Sequence, residues 1–90
     1  MKTNFRPAAM TAATAAAQLR LYAVVLGGRL AGARLGEDHE TVFVAAESET
    51  QARAKGKAKW SGSARKGLHV DAVACVEQVD GFAVRLEPVG

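Results

Sequence analysis

The sequence predicts a small α+β domain: a β-β-α-β-β chain forming one four-stranded, mixed or antiparallel sheet with a single helix on one face. Three observations carry this. Two β-rich apolar runs, Arg20–Leu26 (RLYAVVL) and Glu40–Ala46 (ETVFVAA), flank a polar stretch with glycines. A capped helical segment follows from Ser48. A third β-rich stretch, His69–Val79, then leads through Asp80-Gly81 into a last alternating run.

Arg20–Leu26 is a short continuous apolar run closed by Gly27-Gly28. Its length and its Tyr and Val content favour a strand buried on both faces. Arg29–Asp38 holds Gly32 and Gly36 with no apolar period and reads as a loop. Glu40–Ala46 reads as a second central strand. Ser48 is placed to cap a helix, with Gln51 three residues on as its capping-box partner. Glu47 and Glu49 suit the positive end of the helix dipole and the later lysines the negative end. Glu49 and Arg53 are spaced for an i,i+4 pair. The helix is expected from Glu49 to about Trp60. Ala52, Gly56 and Trp60 then share one stripe, letting the helix lie close on the sheet with Trp60 as anchor.

Ser61–Gly67 reads as a loop. Asp80-Gly81 is a two-residue hairpin turn, because both positions accept positive φ cheaply. Phe82, Val84 and Leu86 alternate with Ala83, Arg85 and Glu87, so the last strand is expected half-buried, ending at Pro88.

Ninety residues make one domain with a modest core. Hydrophobic content is 49%, much of it alanine, so pairing with a second copy would help stability, and a homodimer is expected. Residues 1–18 read as an alanine-rich flexible tail and 19–90 as the domain. Lys2 and Arg6 precede Ala8–Ala17, which superficially resembles an export signal, but that stretch contains no Leu, Ile, Val or Phe. No run of about 20 strongly apolar residues exists, so no membrane span is expected. The single cysteine, Cys75, forms no internal disulfide and is expected as a small buried thiol in a strand. That points to a reducing compartment, the cytoplasm.

Three blocks in order, Leu21–Gly28 (LYAVVLGG), His39–Ser48 (HETVFVAAES) and His69–Phe82 (HVDAVACVEQVDGF), with Lys59-Trp60 between the last two, carry a family likeness. The chain resembles the bacterial domain of unknown function 1543 family from about Leu21 to Leu86. The family's pattern has His-Asp where this chain has His39-Glu40, and Tyr where it has Phe82. Members occur with one or two copies of the domain, so the resemblance implies that a single-copy chain could pair to mimic the two-copy form. It implies no activity.

His39 and His69 are the two histidines. Asp38 and Glu40 flank the first, and Asp71 follows the second by two, which in a strand puts it on the same face. A carboxylate orienting an imidazole is a general-base device. A structural hydrogen bond at a strand end is the simpler reading of each pair, since no nucleophile accompanies them. His39, His69 and Asp71 are the catalytic candidates. Their spacing matches no metal-ligand pattern, and no metal and no cofactor is expected.

Gly27, Gly28, Arg29 and Trp60 are the ligand-binding candidates. The glycine spacing fits neither nucleotide fingerprint, and turn geometry accounts for it more simply. A small anion held by backbone N–H groups is the alternative. Arg53, Lys55, Lys57, Lys59, Arg65 and Lys66 form a basic segment with no acid among them. They are the nucleic-acid candidates. On the helix they straddle the small-residue stripe on both flanks instead of forming one face, which disfavours nucleic acid.

The leading expectation is therefore a non-enzymatic homodimeric or partner-binding domain. The alternatives are a small-ligand-binding or hydrolytic domain using His39, His69 and Asp71, and a nucleic-acid binder using Arg53–Lys66.

Overall fold

The structure is a computed structural model and describes residues 18–29 and 36–90. Residues 1–17 of the alanine-rich tail, and residues 30–35 with Gly32, lie outside the described residues. The elements run β1 (Arg20–Gly28), β2 (Asp38–Ala46), α1 (Glu49–Ala58), β3 (His69–Cys75), β4 (Gln78–Val79) and β5 (Phe82–Ala83). The fold is α+β, with one helix and antiparallel sheets.

The main sheet has three strands in the order β2-β1-β3. β1 pairs with β2 in an unbroken register from Arg20↔Ala46 to Gly28↔Asp38. β1 pairs with β3 from Tyr22↔Cys75 to Gly27↔His69, with a register shift between Val25 and Leu26. Val25 faces Ala72 and Leu26 faces Val70, so Asp71 is the extra residue of a β-bulge.

The helix lies on one face of this sheet. Tyr22, Val24 and Leu26 of β1 point into it and join Val44, Ala46, Ala52 and Trp60 as the core. Val24 and Leu26 are fully buried. Each contributes on the order of 1.5–3 kcal/mol by leaving water. The expected stripe is present: Ala52, Gly56 and Trp60 are all buried.

The cap forms as well. Ser48 accepts from the Gln51 N–H at 3.1 Å, and Gln51 Oε1 accepts from the Glu47 N–H at 2.8 Å. The return bond thus reaches one residue further back than the usual capping box. Arg53 pairs with Glu49 at 3.0 Å. The helix closes two residues before Trp60, where tightened bonds run from Lys59 N to Gly56 O and from Trp60 N to Lys57 O.

Several expectations are corrected. β2 is an edge strand, so only β1 is central. β1 is covered by the helix on one face; Leu21, Ala23 and Val25 on the other are only partly buried. The sheet is three-stranded, because its last backbone bond beyond β3 runs from Val76 N to Leu21 O, next to the end of β1. The chain beyond it pairs with itself, β4 with β5, as a separate two-stranded sheet. Asp80 (φ 53°) and Gly81 (φ 83°) form the expected turn between them. Phe82 is 75% exposed, not inward-facing, while Val84 and Leu86 of the same expected face are half-buried beside Leu19 and Leu21 at the start of β1. Cys75 is exposed, because it ends an edge strand.

Candidate functional site

The face of the sheet away from the helix carries two kinds of residue. Toward one end lie the apolar rows Phe43–Ala23–Ala74 and Thr41–Val25–Ala72, read across β2, β1 and β3. At the other end the same row order gives His39–Gly27–His69. Gly27 therefore has a histidine on each side.

Two carboxylates close the ring. Glu37, just before β2, reaches His39 Nε2 at 3.2 Å with one oxygen and His69 Nε2 at 3.4 Å with the other. Asp71, the bulged residue of β3, reaches His39 Nε2 at 3.3 Å and His69 Nε2 at 3.0 Å in the same way. Each acid thus spans both imidazoles. Gly27 is the floor of this cluster. A β-carbon there would fall 2.7 Å from His69 Nε2, 2.9 Å from Asp71 Oδ2 and 3.1 Å from Glu37 Oε1.

The two rings differ in support. His69 Nδ1 lies 2.8 Å from the Gly67 carbonyl, which can only accept, so Nδ1 carries the proton. That bond raises the His69 pKa above its ordinary value. Desolvation opposes the shift, while Glu37 and Asp71 add to it. The side chains are one-third to just over one-half exposed, so the ring of groups opens to solvent.

Of the residues picked from sequence, the fold brings together His39, His69, Asp71 and Gly27. Glu37 was missed. It stands two residues before His39, and in an extended run that spacing shares a face, which is the signal that identifies it. The cluster can carry a proton on an imidazole beside a carboxylate, or hold a cation between nitrogen and oxygen donors. Glu40, which follows His39, is engaged on the other face of the sheet, the helix side, where its carboxylate accepts from the Ser61 N–H (3.0 Å) and the Ser61 hydroxyl. The hydroxyl first, then the N–H, hold the Glu40 carboxyl below its ordinary range.

The other candidates lie elsewhere. Trp60 is buried on the helix side against Gly28, where a β-carbon would meet its ring at 3.1 Å. Gly28 and Arg29 line an open pocket of about 340 Å³ with Gly36, Glu37, Lys66 and Gly67. Four of the six basic residues are engaged. Arg53 pairs with Glu49, Arg65 donates to the Lys57 carbonyl, and Lys55 and Lys59 donate to the Ala45 and Phe43 carbonyls at 2.6 Å. The lysines thus close over edge strand β2. No helix among the described residues is long and apolar enough to cross a membrane.

Comparison with known proteins returns no matching curated protein and no matching solved structure. A family profile described as Domain of Unknown Function (DUF1543) matches residues 34–86, from the segment before β2 through β5, leaving the Leu21–Gly28 block outside. That span is more than half of the chain and includes Glu37, His39, His69 and Asp71; the chain belongs to the DUF1543 family.

Proposed function

We propose that this is a non-enzymatic binding domain that pairs with a second copy of itself through the open face of the sheet. The observation that carries the reading is the row Phe43–Ala23–Ala74. Phe43 is 54% exposed, and beside it stand two alanines. A two-fold axis parallel to β1 would set Phe43 of each copy over Ala74 of the other, bulk against hollow. Stacked sheets lie about 10 Å apart, a spacing small residues at the seam permit.

The occupant follows from what else the sheet offers. Both edges are guarded, β2 by Lys55 and Lys59 and β3 by the Asp71 bulge, so edge-to-edge strand addition is disfavoured. The two rows hold no charged residue, so at those rows two identical faces meet without repulsion. The exposed thiol of Cys75 fits a reducing compartment such as the cytoplasm.

The test is light scattering on the full chain at micromolar concentration. A dimer is expected, and Phe43→Asp should give a folded monomer. A wild-type monomer, or a Phe43→Asp dimer, sinks the reading. The alternative, a small-ligand or hydrolytic use of His39, His69 and Asp71, draws support from their convergence over Gly27.

A further inference from the structure

We infer that Glu37, His39 and Asp71, with His69 beside them on the other oxygen of each acid, bind one divalent transition-metal cation of the zinc-like borderline class. The inference rests on the ligand-binding alternative above, not on dimerisation. Mixed imidazole nitrogen and carboxylate oxygen is the donor chemistry such ions accept.

The spacing suits a shared ion. Donors bound at about 2.0–2.2 Å around one tetrahedral centre lie about 3.4 Å from each other. Around His39 Nε2, Glu37 Oε1 stands at 3.2 Å and Asp71 Oδ2 at 3.3 Å, close to that edge length. One ligand atom from each of Glu37, His39 and Asp71 lies within 4.8 Å of the others.

Two further features point at the same spot. The Gly67 carbonyl accepts from His69 Nδ1–H at 2.8 Å, which fixes the ring with Nε2 turned toward the carboxylates. This is the outer support that metal-ligating histidines commonly have, fixing tautomer and ring angle together. The floor is a glycine, whose missing side chain leaves the space the donors use. Two carboxylates bring two formal negative charges, which a dication balances. Cys75 stands at the far end of β3 from His69 and adds no sulfur.

The rival arrangement is a proton on each imidazole, holding the four groups as ion pairs with no metal. Calorimetric titration of the tag-free, chelator-treated full chain with zinc chloride separates the two. Expected is one ion per chain, with affinity at least about tenfold weaker in His39→Ala and His69→Ala. Gly27→Ala, which keeps all four side chains, should weaken it likewise, and Cys75→Ser should leave it unchanged. Glu37→Gln gives the same readout should a histidine variant fail to fold. No binding by the wild type, or binding that survives in His39→Ala and is lost in Cys75→Ser, overturns the inference. Neither result bears on whether the chain is a dimer.

Discussion

A β-carbon built on Gly56 would fall 2.7 Å from Val24 Cγ1 and 2.9 Å from Val24 Cβ, so the helix rests on the central strand through bare glycine backbone. Two effects compete on substitution. Alanine gains about 1 kcal/mol of helix propensity. Forcing a methyl against a fully buried valine costs about 1–3 kcal/mol. Gly56→Ala is therefore expected to destabilise by about 1 kcal/mol, lowering the melting temperature by about 4–8 °C. Thermal unfolding by circular dichroism decides it; a more stable variant would mean that the helix can lift off Val24.

Glu40 and Ser61 tie β2 to the chain just beyond the helix, and the tie depends on acid. Because the folded carboxyl titrates below its ordinary value of 4.5, the native state binds fewer protons than the unfolded chain in that window. The contribution is fully present above pH 4.5 and fades as pH falls through the depressed folded value. The stability gap between wild type and Ser61→Ala, from urea melts, should be constant above that pH and shrink below it. A gap that persists into strong acid would show that Ser61 acts without Glu40.

Cys75 is an exposed thiol, with Glu77 Oε2 3.9 Å from its sulfur. It should react with a thiol reagent in native buffer as fast as in denaturant. Marked protection in the folded protein would return it to the interior.

Lys55 and Lys59 cover the outward carbonyls of Ala45 and Phe43 on edge strand β2. Removing both as Lys55→Ala/Lys59→Ala should raise aggregation on storage while changing unfolding free energy by less than about 1 kcal/mol. Static light scattering over days, beside a urea melt, separates the two effects. Equal scattering with a large stability loss would make the lysines structural.

Much of the fold is legible in the sequence because it is local. The Ser48 cap, the Glu49–Arg53 pair, the stripe of Ala52, Gly56 and Trp60 and the Asp80-Gly81 turn each depend on residues within a few positions. What is lost is non-local. Two apolar runs announce strands but not which one lies in the middle, so β2 reads as central although it is an edge. Alternation in Phe82, Val84 and Leu86 announces a face but not its cover. His69 and Asp71 are legible as neighbours by spacing alone. Their meeting with His39 and Glu37 depends on both registers of β1, which only the pairing supplies.

The bulge at Asp71 has a consequence for how such a chain can change. Counting back from Ala74 and Ala72 in steps of two would put residue 70 on the open side and residue 69 under the helix. The supernumerary residue inverts that parity, sending Val70 to the core and His69 outward. A one-residue deletion there would remove Asp71 and leave Val70 and His69 on their present faces in an unbroken ladder. Insertions and deletions in this one strand, more than point substitutions, are the steps by which a lineage could acquire or lose the cluster.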